Sequence, residues 1–405
     1  MASSLSFVLR DPPIRTAAMA LFFFGSTSAA TAPYQSIVGI QELGLSSAVY
    51  SLLIFAAAVI NVSASLLFGI LSDRLGRFRP LVMILSVFGV VGYGLIFAFP
   101  TAWVFTASVL LLIPVFNALN SVLFGSVRAR TNAMGSRATA SVNSTVRAIL
   151  SASWILIPGI VAITLAGSAS MLPAYLLASL CGVICFLMFL LFTRDAPLPN
   201  DASRLRPAYL SSLAEVAKPR VSIRIVAVSL VTAMLHVNGA VAPLIITGQA
   251  GGNVRDVGFN VGAVAFLEII FIVFWGLAQR RLKSIHILAA GTTLYALYLV
   301  LLGFATAPWH VYALLLINGA GAAAIISIPI TYLQDLLADR PGLGSSLISV
   351  NMFLSGGLSA LLFGAGAAIG GYSGAVILGG LSGLGGVLLL LVLDRRDARV
   401  EAVAA

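Results

Sequence analysis

Charge is what this chain has least of. Aspartate, glutamate, lysine and arginine make up 9% of its 405 residues, whereas 60% are hydrophobic. A soluble domain carries roughly a quarter charged residues, so the composition is that of a multi-pass membrane protein. Lysine occurs only at Lys218 and Lys283. The two cysteines, Cys181 and Cys185, lie four apart in an apolar stretch and offer no disulfide or metal framework. Three histidines form no metal-binding cluster, and no glycine loop of the phosphate-binding kind or nucleophile with a nearby base stands out. No enzyme, cofactor or metal site is therefore expected. Met1 to Arg15 lacks an apolar region followed by a small-residue cleavage site, which argues against a cleaved signal peptide.

What is present is length without polarity. The apolar runs do not alternate as barrel strands would, so the expected spans are helices. A span needs about 20 apolar residues. Twelve segments qualify, near 15–40, 47–72, 79–99, 102–127, 138–166, 171–193, 222–247, 257–279, 284–305, 309–337, 344–369 and 373–393. The net charge of +10 would suit nucleic acid if it formed a patch. Instead, of 23 lysines and arginines, all but Arg147 and Arg255 fall at helix ends or loops of one side. That is the positive-inside pattern, so the partner is a lipid bilayer and both termini are expected in the cytoplasm.

Residues 194–221 are the single break in apolar character and read as a cytoplasmic linker. They separate six spans in 1–193 from six in 222–405. Ala32-Pro33 returns as Ala242-Pro243, Ser141-Val142-Asn143 as Ser349-Val350-Asn351, and Gly69 as Gly276. The offsets of 210, 208 and 207 favour a duplicated six-helix unit, a plan that puts a substrate site between pseudo-symmetric halves.

The run Gly69-Ile-Leu-Ser-Asp73-Arg74-Leu-Gly76-Arg77-Phe-Arg79 is densely charged between two long apolar segments. Gly69 and Gly76 are expected to let the backbone bend and neighbouring helices approach. The run resembles the signature loop G-x-L-x-D-R-x-G-R of the major facilitator superfamily and matches every fixed position. The resemblance implies an all-α membrane fold of two six-helix bundles, with Gly69, Asp73, Arg74, Gly76 and Arg77 as a conformational loop.

Polar groups inside apolar spans are costly and usually turn inward. Arg147 lies about 9 residues, ~14 Å, from the basic end of the fifth span. Glu268 lies about 11 residues, ~16 Å, from the basic end of the eighth. The superfamily arrangement implies that these two spans face each other, so the pair could act as a proton-sensitive bridge; a static ion pair or a snorkelling arginine is the plainer reading. Asp335 and His236 are further candidates for proton coupling, against a solvated helix end and a packing histidine. Asn61, Asn117, Asn120, Ser121, Asn143, Asn238, Asn318 and Asn351 could bind a polyhydroxyl ligand, with Trp154 stacking on a sugar ring. Asparagine also serves as glue between membrane helices. Pro114, Pro158 and Pro329 are expected to kink their helices, and the glycines from Gly356 to Gly371 to let the eleventh span slide.

Further stretches resemble the bacterial sugar efflux transporters within that superfamily: Asn143-Ser-Thr-Val-Arg147 on to Trp154 and Pro158, Leu267-Glu268-Ile269, and Tyr332-Leu-Gln334-Asp335. This implies a proton-coupled, alternating-access exporter of small sugars or glycosides, a monomer in the bacterial inner membrane. Ile157 stands where a glycine is expected before Pro158 in the drug-antiporter motif, which disfavours the alternative of a broad drug or metabolite exporter. A solute sensor that transports nothing is a third reading.

Overall fold

The computed structural model describes residues 7–131, 136–165, 168, 170–193, 218–336 and 341–404. Among the described residues the chain is helical, with no strand. The first helix, α1, covers Pro12–Thr31. It starts where prolines 12 and 13 occupy the first positions, which have no use for an N–H, and where the Asp11 carboxylate accepts from Ile14 N at 3.1 Å. Then follow α2 (Ser47–Leu75), α3 (Arg79–Ala98), α4 (Ala102–Thr131), α5 (Ser136–Thr164) and α6 (Leu172–Phe192). The later helices are α7 (Pro219–Thr247), α8 (Val254–Ala278), α9 (Ser284–Gly303) and α10 (Leu315–Asp335, after a short helix at Pro308–Ala313). The last helical stretch, Pro341–Ala404, breaks at Gly370–Gly371, where Gly371 has φ 62°. It is therefore two helices, α11 (341–369) and α12 (372–404).

Ten described stretches are long and apolar enough to cross a membrane: α2 to α10, and Val350–Arg396, which holds both α11 and α12. With α1 the spans number twelve. α1 is the least apolar because it carries Thr16, Ser26, Thr27 and Thr31. Each of these hydroxyls donates to a carbonyl three or four residues back in its own helix, so none is left unpaired.

The chain falls into two compact units, Met1–Ser46 with Ala56–Arg204, and Ser47–Phe55 with Leu205–Ala405. The first nine residues of α2 thus belong to the second unit, where Tyr50 meets Phe363 edge to face at 5.9 Å. The linker, 194–217 of it, lies outside the described residues.

The two units repeat one another at a constant offset. In the first, Leu43 N donates to Val38 O at 2.9 Å and Leu45 N to Gly39 O at 3.0 Å. In the second, 207 residues on, Ala250 N donates to Ile245 O at 3.0 Å and Gly252 N to Ile246 O at 2.8 Å. Gly44 and Gly251, also 207 apart, both take left-handed backbone, φ 73° and 65°. Beside them, Glu42, the last residue of a π-helical segment Ile37–Glu42 that follows α1, accepts from Ser170 Oγ at 2.6 Å and Met171 N at 2.8 Å, tying that segment to the start of α6. Gln249 in the equivalent place accepts from Ser373 Oγ at 3.0 Å and donates to the Gly303 and Ala305 carbonyls, both at 3.1 Å. The carboxylate-to-amide change between copies keeps the tie and alters only its charge.

Without water to drive helices together, association in lipid rests on close packing at small residues. Gly89 receives the Phe116 ring, which also lies 5.3 Å from Phe24, so α1, α3 and α4 interlock. In the second unit Gly321 lies against Tyr295 and Gly319 against Leu267, which binds α10 to α9 and α8. Cys185 is buried and its thiol donates to Ala20 O at 3.4 Å, a packing role.

Several expectations change in detail. Pro114 does sit at a distortion: a π-helical turn, Ser108–Leu112, precedes it, and α4 breaks again at Ala118. Pro158 and Pro329 lie inside helices that continue past them. Gly69 has open space where a Cβ would be, so it does not serve close approach; Gly76, with φ 58°, is the residue that the loop needs as glycine. In α11, Gly366 has no room for a Cβ against Ala375 of α12, and Gly370–Gly371 form the turn itself.

Candidate functional site

In the first unit the informative surface is built from α4 and α5. Along α4, Asn117, Ser121, Phe124 and Arg128 recur at steps of three and four, and none of them is buried. That spacing puts them on one face of the helix. Asn120 flanks the stripe, and its Oδ1 has no hydrogen-bond partner among the described residues. Along α5, Ser144, Arg147, Ser151 and Trp154 form a second exposed stripe at the same spacing. Asn143 is half-buried beside it. A stripe holding a full charge and two hydroxyls is unsuited to lipid, so this face serves a polar space. The stripes meet where the Arg147 guanidinium stands over the Phe124 ring, 5.3 Å from its centre. Asn61 of α2 adds another buried Oδ1 without a partner among the described residues.

In the second unit the polar groups divide by how fully they are used. Asn351 is 3% exposed, accepts from Ser229 Oγ at 3.0 Å and donates to Thr232 Oγ1 at 3.2 Å. Its amide stitches α11 to α7 through one bond at each polar atom, a packing role beside the ligand contact expected of it. Asn238 is half-committed: Tyr298, fully buried, donates its hydroxyl to Asn238 Oδ1 at 2.9 Å and thereby fixes which way the amide points. Asn318 is 1% exposed, and neither of its amide atoms has a partner among the described residues. Buried amides are nearly always paired, so this one calls for water or a ligand. Glu268 is half-buried on α8, next to Leu267 in its notch on Gly319. His236 is exposed on α7, and Asp335 is the exposed last residue of α10.

The signature loop joins α2 to α3. Arg74 and Arg77 are exposed. The side chain of Asp73 lies outside the described residues. Arg79, at the end of the motif, does something the sequence did not announce. Its Nε and Nη2 donate to Phe189 O and Leu190 O at 3.1 and 2.9 Å, so a cation caps the C-terminus of α6.

Sequence reasoning also passed over a buried pair. Arg224 near the start of α7 is 2% exposed; its Nε lies 3.6 Å from Asp394 Oδ1 on α12, and Tyr332 of α10 donates to the same oxygen at 2.9 Å. Five residues into a helix, with isoleucines on both sides, Arg224 could have been singled out as inward-facing. Asn260, buried on α8 with its Oδ1 unpartnered among the described residues, was likewise missed.

Comparison with known proteins narrows the fold. The family model of the Major Facilitator Superfamily matches residues 225–404. The solved structure of the nucleoside transporter NupG superposes with a TM-score of 0.75 at 12% identity, covering 95% of this chain and 98% of that one. The chain has the major facilitator fold. A Deinococcus radiodurans protein named for sugar efflux is 25% identical over 355 residues, 87% of this chain and 91% of that protein. Sugar efflux transporter A of Dickeya chrysanthemi is 24% identical over 376 residues, 89% and 92% of the two chains. The chain is thus similar over most of its length to sugar efflux transporters.

Proposed function

We propose that this protein is a secondary active transporter that exports small sugars or glycosides from a bacterial cell in exchange for protons. The observation that carries the reading is the polar stripe across α4 and α5 with Arg147 at its centre, in a chain so extensively similar to sugar efflux transporters. Hydroxyls and amides that both donate and accept suit a polyhydroxyl ligand, and Trp154, 38% exposed, offers a ring face to a pyranose.

In this account the bundles of 1–193 and 222–405, joined by 194–221, expose the site alternately to the two sides of the inner membrane. Both termini lie in the cytoplasm, the chain works as a monomer, and the signature loop with Asp73 governs the change. Sugar contacts come from Asn117, Asn120, Ser121, Asn143, Arg147 and Trp154 in one bundle, and from Asn238, Asn318 and Glu268 in the other, with Asn61 supporting them. Glu268 carries the proton, and sugar competing for Arg147 releases it. Asp335 and His236 are second in line.

Counterflow of labelled lactose and labelled glucose in proteoliposomes tests this. Saturable uptake against preloaded sugar is expected. Transport of lipophilic drugs without sugar counterflow would favour a drug exporter, and binding without flux a sensor.

A further inference from the structure

An arginine side chain gives up much rotamer freedom when it is fixed. A guanidinium on an exposed stripe needs something to hold it if it is to meet a ligand in one pose. In its own unit Arg147 finds the ring of Phe124, 5.3 Å from Cζ to the ring centre. That is inside the roughly 6 Å range of a cation–π contact. Phe124 is itself well placed to act as a fixed point. The next residue, Gly125, sits so close to Phe78 that a Cβ would lie 3.3 Å from its Cε1, which anchors this part of α4 on the basic loop. An aromatic partner differs from a carboxylate in one useful respect. A carboxylate takes up two N–H donors of the fork, whereas a ring face takes none.

We propose that Phe124 is the positioning residue for sugar recognition. Its ring holds the Arg147 guanidinium in place while leaving the N–H edges free for two adjacent hydroxyls of a pyranose. This rests on Arg147 being a sugar contact, as argued above.

Fluorinated phenylalanines test it, because each fluorine draws electron density from the ring face with little change in size. With mono-, di- and trifluorophenylalanine at position 124, apparent affinity for labelled lactose, or for labelled glucose if lactose is not carried, should fall in steps. The total loss should be about 2- to 30-fold, the range of cation–π energies. Phe124→Trp should retain affinity and Phe124→Leu should lose it. A flat fluorine series, with leucine as good as phenylalanine, overturns the proposal. Arg147→Ala separates the two ideas: if it binds sugar normally, the substrate reading has failed; if it loses sugar while the fluorine series is flat, only the role of Phe124 has. A second readout needs no sugar. In the full chain in nanodiscs, the 19F resonance of 4-fluorophenylalanine at position 124 should move on Arg147→Gln, and an unmoved resonance contradicts the contact.

Discussion

Asn351 accepts a hydrogen bond from Ser229 at 3.0 Å across the α7–α11 boundary, and that relationship separates one asparagine from the rest. Replacing it with leucine would take away the acceptor of the buried Ser229 hydroxyl, while Thr232 keeps its bond to Val228 O at 3.0 Å. The expected cost is about 1–3 kcal/mol of stability, with little change in apparent affinity for sugar in the molecules that remain folded. Asn117→Ala and Asn120→Ala should do the reverse, weakening sugar counterflow several-fold at unchanged thermal stability. Unfolding curves in detergent beside counterflow kinetics check both. Loss of affinity in Asn351→Leu at unchanged stability would show that Asn351 contacts sugar.

The Arg224–Asp394 pair makes a different prediction. Asp394→Ala leaves the guanidinium buried without its carboxylate and Tyr332 without its acceptor. Because the Asp394 side chain is 31% exposed, the loss should be on the order of 2 kcal/mol rather than the larger figure for a fully buried pair. Arg224→Met with Asp394→Leu should recover most of it, since removing both charges leaves neither unpaired. Equal melting temperatures for the single and double variants would show that the two groups do not depend on each other.

Much of this was legible from residue types alone. The twelve spans are readable because a membrane imposes length and apolarity together, and their ends agree with the helices to within a few residues at most places. The duplication showed itself as short identities at offsets of 207 to 210, and the 207-residue repeat of hydrogen bonds at Glu42–Leu45 and Gln249–Gly252 is its structural counterpart. What was not legible depends on which way a side chain faces. Asn351 and Asn318 are the same residue type in similar surroundings, yet one is hydrogen-bonded at both amide atoms and the other has no partner among the described residues. Gly69 and Gly76 share a motif, but only Gly76 has a backbone that demands glycine. Phe124 looked like any apolar residue of α4, because the partner that gives it meaning lies on α5.

The loop prediction follows from the match to the superfamily signature. Asp73→Asn should slow the transport cycle at least several-fold while leaving insertion, folding and sugar binding near normal. Counterflow rate and ligand-induced thermal stabilisation, measured on the same preparation, check it. Normal turnover would remove the loop carboxylate from the mechanism.

Coupling is the central claim, and Glu268 is where it is most exposed to test. A carboxylate within a span is costly when charged, so a group that takes up and releases a proton there can drive the cycle. Glu268→Gln imitates the protonated form permanently. The most direct measurement is pH-gradient-driven flux of labelled sugar beside sugar exchange without a gradient, in the same vesicles. The account predicts that Glu268→Gln abolishes gradient-driven accumulation and keeps exchange; wild-type accumulation by that variant would contradict it.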